Sequence, residues 1–367
     1  MKITKSKRMD LRFTEFSKRC REIRVIMNQV IAPLSREAIC ITAESYQKSR
    51  DYCETHGLPE SALFEACFQS PPFSLPDPLW LTYIHGHIRP VDIAWLQGNP
   101  YLQRFSGHPF PAVALDGILL SETASEPHSM QILNTGYQPD QGVTLDIGYY
   151  PGSFRFPVLS ENGKVWMSIV PSELYTMEQS IHQAQGNVLV FGCGLAYYAY
   201  MVSQKPEVNA VTVVERNSKV IEAYKKHLAP VLGNPKKITI IQADAFEYLD
   251  TIEPGSSGYD FAFADIWQSA EDGVSLYLAF VKREKEHPEI TFSYWIESML
   301  LGSLCQTAGL ALLSQYEGTA YYVSDPDIQR FIEQLLFIDE EMTRPEHLDY
   351  WIHPNTIKDI IRILPFK

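Results

Sequence analysis

An α/β chain built around a doubly wound parallel sheet is what this 367-residue sequence predicts, on three observations. From Asn187 onward, apolar runs alternate with helical segments: NVLVFG, LAYYAYMVSQ, AVTVVE, SKVIEAYKKHLAPVL, KITIIQAD, AFEYLDTI and YDFAFADIW. The strand-like runs are apolar throughout, which marks strands covered on both faces by the helices between them. The first run stops at Gly192-Cys193-Gly194, and the next three stop at Glu215, Asp244 and Asp265. In a doubly wound sheet, ligands sit at the carboxyl ends of the strands, where these residues fall.

Ahead of that sheet the sequence predicts two other regions, residues 1–75 and 76–170, leaving 171–367 for the sheet and its following helices. Residues 10–70 read mostly as helix, with Ile23, Val25, Ile26, Val30 and Ile31 near helical spacing and LPESALFEACF as a capped second segment. PPFSLPDP is a connector, since its prolines fit neither a helix interior nor a central strand. Further on, VTLDIGYY and KVWMSIV flank SENG, where Asn162-Gly163 signals a hairpin turn because both residues tolerate positive φ. VPSELYTMEQSIHQA, with Pro171, Ser172 and Glu173 as its start, is a helix leading into the first strand of the sheet. Beyond the sheet, FSYWIESMLLGSLCQTAG reads as one buried helix and DPDIQRFIEQLLFI as an amphipathic one.

Composition narrows the function. A formal charge of -13 argues against a general grip on nucleic acid, whose phosphates are held by Lys and Arg. The basic first two dozen residues, Lys2 to Arg24, read as a solvated helix face with intrahelical ion pairs. No apolar stretch follows them and none is long enough to cross a bilayer, so a soluble, cytoplasmic chain is expected, without a membrane partner. Six widely spaced cysteines contain no CxxC pair, and His85 and His87 form an HxH with no third ligand nearby, so no metal is expected. The expected partner is a small-molecule substrate, with a homodimer as an open assembly state.

Four strand ends in register form a more specific signal than a lone GxG. At Gly192 and Gly194 the missing Cβ lets a ligand approach the backbone and the following helix start. Glu215 can accept hydrogen bonds from two sugar hydroxyls, Asp244-Ala245 can meet a base edge or cap the next helix, and Asp265 lies nearest the reacting group. A dinucleotide site needs a small residue at its sixth fingerprint position, which here is Tyr197. A cationic sulfonium ligand, by contrast, suits a ring of carboxylates and aromatic faces. Tyr197 or Tyr198 is expected to face the ligand, and Trp166, Met167, Ser168, Trp267 and Trp295 are candidate walls.

Over Trp166 to Trp267 the sequence resembles the class I S-adenosylmethionine-dependent methyltransferases. The resemblance implies a Rossmann-like fold of that type, with S-adenosyl-L-methionine as cofactor. It implies cofactor binding by Gly192, Cys193, Gly194, Ala196, Glu215, Arg216, Asp244, Ala245 and Asp265, with alanine where a third glycine usually falls. Val190 stands where many members carry an acid, and the spermidine synthase branch shares that apolar residue. VVERNSKVIEAYKKHL, IIQADAFEYLD and the preceding hairpin also look like that branch. Its GGGDGG turn is absent, and its DxxD pair is half present, Asp265 being followed by Gln268. The expected function is methyl transfer to a small-molecule nucleophile, with Asp265 catalytic and Tyr197, Trp166 and Trp267 contacting substrate. The alternatives are aminopropyl transfer and a noncatalytic module retaining the fold.

Overall fold

The computed structural model describes residues 1–36, 39–40, 43–69, 73–107, 109–138, 141–255 and 257–363. Five strands form one parallel sheet in the order Ile238–Gln242, Val208–Glu215, Gly186–Phe191, Phe261–Ala264, Thr291–Tyr294. The chain winds outward from the central 186–191 strand on one side and then restarts beside it on the other. The switch therefore lies between the 186–191 and 261–264 strands, where a crevice opens in such sheets. Side chains of the central strand alternate between two buried cores, Val188 and Val190 in one, Leu189 and Phe191 in the other. That alternation is why the run is apolar throughout.

The fifth strand corrects the sequence reading. TFSY, at residues 291–294, pairs with Phe261–Ala264, and the helix that was expected to include this stretch runs only from Glu297 to Glu317. Between them Ile296 adopts φ 49, a left-handed conformation that a β-branched residue rarely takes. The helix itself is apolar on most sides because it lies between the helices Ala270–Glu284, Pro326–Phe337 and Pro354–Ile363 and the N-terminal region. A Cβ on its Gly302 would fall 2.5 Å from the Tyr137 ring, and one on Gly309 would fall 2.1 Å from that of Phe16.

Two further four-stranded sheets lie upstream. Phe154–Glu161 and Lys164–Ser168 form the hairpin expected at Asn162-Gly163, whose φ values of 50 and 78 suit a tight turn. Gly142–Tyr149, however, does not pair across SENG: its antiparallel partner is Ser129–Gln138, in the other sheet. Period-two patterning alone cannot say which of several strands a run will meet.

The N-terminal helix Lys7–Ile26 is capped by Ser6 and buries Met9, Phe13, Phe16, Cys20 and Ile23, spaced three and four apart. Its charges lie on the other face, where Arg12 pairs with Glu15 and Asp349 and Lys18 with Glu22. Lys2–Ile3 pairs with Glu341–Met342, so the first residues are tied to the last helices. One buried core runs from Ile23 through Ile147 to Leu189 and Leu304, so packing joins the regions that the sequence divides at residues 75 and 170. Segment 61–67 is helical but has no side-chain cap, and Pro71 and Pro72 of the expected connector lie outside the described residues. No helix among the described residues is long and apolar enough to cross a membrane.

Candidate active site

The four strand ends meet in one cavity of about 310 Å³. Gly192, Cys193, Gly194, Glu215, Arg216, Asp244, Ala245 and Asp265 all line it. Gly192 has φ 97, and a Cβ there would fall 2.2 Å from the backbone oxygen of Asp265. Gly194 has φ 48, and its Cβ would fall 2.5 Å from the Met167 sulfur. The glycines thus answer first to the protein itself: the turn must cross the end of the 261–264 strand and slip under the hairpin. Ala196 does not line the cavity; at φ 59 it forms the left-handed turn into helix Tyr197–Ser203, and its amide donates to the Cys193 carbonyl at 2.7 Å.

Glu215 holds the turn in shape. One carboxylate oxygen accepts from the Cys193 amide at 2.9 Å, the other from the Asn217 amide at 2.7 Å. A carboxylate oxygen has more than one acceptor position, so capacity remains for ligand hydroxyls. Asn217 in turn donates to Glu161 at 2.9 Å, tying the hairpin over the second strand end. Asp244 caps helix Ala245–Asp250, accepting from Phe246 and Glu247 through one oxygen, while it lines the cavity. The helix-cap role considered for it is observed, and the cap leaves the residue on the cavity wall.

Asp265 follows the 261–264 strand, and its amide donates to the Phe191 carbonyl at 3.0 Å. Burial pushes its carboxyl up to about 7. Glu173, from the first turn of helix Pro171–Gln183, lines the same cavity and is pushed well above the ordinary carboxyl range by burial and by Asp265. Sequence reading used Glu173 only as a helix-start signal. Its acidic position after Pro171 was visible, but only the fold places that turn beside the fourth strand end.

The walls sort the remaining candidates. Trp166 and Met167 reach the cavity from the hairpin, and the Leu195 amide donates to the Met167 sulfur at 3.4 Å. Tyr198 lines the cavity and stacks on Phe263 with centroids 3.8 Å apart. Tyr197, expected to contact substrate, does not line it. Its hydroxyl accepts from Asn99 at 3.1 Å and its ring packs edge-on to Tyr101. The N-terminal half builds a niche for the tyrosine, so a large residue at that fingerprint position does not block helix packing. Trp267 lines the cavity but is 3% exposed, packed on Gly273 and Phe280. Cys193 is buried with its thiol pushed up by burial and Glu215, which suits packing rather than nucleophilic chemistry.

The cavity is acidic. Glu161, Glu173, Glu215, Asp244, Asp265 and Asp272 face it, against Arg216 as the cation among the described lining residues. No cluster suited to a metal occurs among the described residues, and His85 bonds Glu65 at 2.8 Å. These carboxylates, with the aromatic faces of Trp166, Tyr198 and Trp295 and the polarisable Met167, fit a ligand that carries positive charge and sugar hydroxyls.

No family model and no curated protein sequence matches the chain. Among solved structures it is similar to a spermidine synthase from Thermotoga maritima, at 16% identity and TM-score 0.31, covering 51% of this chain and 62% of that one. It is similar to a probable spermidine synthase from Corynebacterium glutamicum at 16% identity and TM-score 0.30, covering 43% and 62%. A dimethyladenosine transferase from Plasmodium falciparum follows, at 17% identity and TM-score 0.24, covering 35% and 42%. The matched parts span less than two thirds of each of those chains. Strand order, parallel pairing and burial on both faces make the 186–294 region a Rossmann-like, doubly wound parallel sheet, preceded by a helical and mixed region and a β-hairpin.

Proposed function

We propose that the chain is an S-adenosylmethionine-dependent methyltransferase acting on a small-molecule nucleophile. The observation that carries this reading is the convergence in one cavity of a glycine turn, the Glu215 carboxylate bound to that turn, Asp244 and the half-buried acids Glu173 and Asp265. Glu215 would hold the ribose hydroxyls, Asp244-Ala245 the adenine edge, and Asp265 the positive end of the cofactor. The cofactor supplies an electrophilic methyl group when bound. The protein's contribution is to hold acceptor and methyl in line in a site walled from water by the hairpin, which accounts for a large share of rate enhancement without a strong base.

A second reading, aminopropyl transfer from the decarboxylated cofactor, is favoured by a separate observation. Arg216, the cation among the described lining residues, follows Glu215 at the second strand end, whereas the first strand end brings no charge and the fourth brings the acid Asp265. A cofactor without its amino-acid carboxylate would be at ease there. Asp272 also lines the cavity, so the carboxylate missing at Gln268 has a neighbour four residues on, although Asp272 already caps helix Ala270–Glu284.

Thermal melting with each ligand tests both readings. A ligand that binds only the folded chain raises Tm by mass action. A larger shift with S-adenosylmethionine or S-adenosylhomocysteine than with the decarboxylated cofactor supports methyl transfer, and the reverse order supports aminopropyl transfer. No shift with any of the three at millimolar concentration, with Gly194→Val behaving like wild type, points to a noncatalytic module.

A further inference from the structure

We infer that the acceptor occupies a second cleft beside the cofactor cavity and that Glu173, rather than Asp265, receives its proton; this rests on the methyltransferase reading above. The cleft has a volume of about 790 Å³ and lies between the two upstream sheets, the hairpin and the starts of helices Pro171–Gln183 and Glu297–Glu317. Among the described residues, four line both spaces: Trp166, Met167, Glu173 and Trp295. Asp265 lines the cofactor cavity alone. A molecule in the cleft therefore meets Glu173 at the seam, while Asp265 is left to the cofactor.

The seam is built rather than incidental. Trp295 donates from its indole nitrogen to the Thr176 hydroxyl at 2.9 Å, which fixes it to the helix that carries Glu173. Ile296, also in the cleft wall, holds the left-handed backbone that turns the chain from the fifth strand into the next helix. Such a conformation persists only where its surroundings enforce it.

The lining sets the ligand class. The charged groups among the described lining residues are Glu122, which pairs with Arg155 at 3.6 Å, and Glu173. The polar remainder is neutral, with Ser121, Thr123, Asn134, Ser168 and Thr176 among it. An anionic acceptor would find no counter-charge, whereas an amine or alcohol on a hydrogen-bonding body would find both partners and an acid at the seam. In the transfer, the acceptor's lone pair forms the new bond to the methyl carbon. The methyl–sulfur bond breaks with its pair remaining on sulfur, and the acceptor's proton passes to the Glu173 carboxylate. The charged groups that line the shared cavity with Glu173 are Asp265, Asp272, Glu161, Glu215, Asp244 and Arg216, of which Asp265 acts on it directly. The positive charge of the bound cofactor readies Glu173 to take a proton by favouring its ionised form.

The experiment compares wild type with Glu173→Gln, Asp265→Asn and Asn134→Trp. Binding of S-adenosylhomocysteine is read by calorimetry, and turnover of a panel of primary amines, alcohols and carboxylic acids is read as S-adenosylhomocysteine formed between pH 6 and 9. Expected for Glu173→Gln are an S-adenosylhomocysteine Kd within about threefold of wild type and turnover lowered about 100-fold or more, as for loss of a proton acceptor. Asp265→Asn should instead weaken S-adenosylmethionine binding about tenfold or more, the worth of one lost charge contact. Asn134→Trp, at an exposed position in the cleft wall, should raise KM for the acceptor without changing cofactor Kd. Glu173→Gln that keeps wild-type turnover, Glu173→Gln whose lost turnover is matched by lost cofactor binding, or turnover confined to carboxylic acids would overturn the proposal. Turnover of none of the panel by a wild-type protein that binds the cofactor overturns the acceptor class alone. Failure of wild type to bind any cofactor form sinks the methyltransferase reading as well.

Discussion

At Asp265 the protein keeps a carboxyl where burial holds its pKa near 7 against an ordinary 3.8. Because the folded value is the higher one, the sign is fixed. The contribution to stability is present in full below about pH 4 and is lost as pH rises through about 7, an effect of a few kcal/mol at 1.36 kcal/mol per unit. Glu173 acts in the same direction. Asp265→Asn should therefore melt higher than wild type at pH 8 and show a flatter pH dependence, as read by thermal melting without added ligand. Binding of the cationic cofactor has the opposite pH trend, tightening as pH rises through 7, with protons released from the acid pair. Calorimetry in two buffers of different ionisation enthalpy reads that release. Gly192→Ala, with a Cβ 2.2 Å from the Asp265 carbonyl at φ 97, should lose about 2 kcal/mol or more in urea unfolding. The glycines and three acids were legible because each stands where an apolar run stops. Glu173 was not, because its role depends on where a preceding helix crosses the sheet. The choice between Tyr197 and Tyr198 was hidden as well, since the left-handed turn at Ala196 sets which of them faces the cavity.

Elements repeat the lesson at larger spacing. The four strands from Gly186 to Ala264 were readable from uninterrupted apolar runs, and the hairpin from Asn162-Gly163. The fifth strand was not, because TFSY flows without a turn residue into a long apolar helix and only Ile296 marks the break. That helix is also where the N-terminal region is anchored. Gly302 and Gly309 admit the rings of Tyr137 and Phe16, so backbone and ring touch with no side chain between. Gly309→Val should overpack this contact and cost about 1–3 kcal/mol in denaturant unfolding. Its effect on cofactor affinity should be small, because neither Gly309 nor Phe16 lines the cavity.

Across the whole molecule, the upstream sheets and helices pack directly against the parallel sheet. They share a core with the parallel sheet, contribute Trp166, Met167 and Glu161 to the cavity at the strand ends, and supply most of the wall of the second cleft. Local patterning predicted helix and hairpin content here, but the pairing of Gly142–Tyr149 with Ser129–Gln138 and the long reach of Asn99 to Tyr197 are nonlocal. Such contacts leave no period in a single sequence. The acidity of the chain, -13 overall, recurs in the cavity and sets the sign of the ligand sought. The central claim, that this cavity holds an S-adenosylmethionine-type cofactor, is tested most directly by calorimetric titration of the purified chain with S-adenosylmethionine at pH 8. Saturable one-site binding that Glu215→Ala weakens by about tenfold or more is the expected result, the worth of its lost ribose contacts. No binding at millimolar ligand to a protein that melts cooperatively would contradict it.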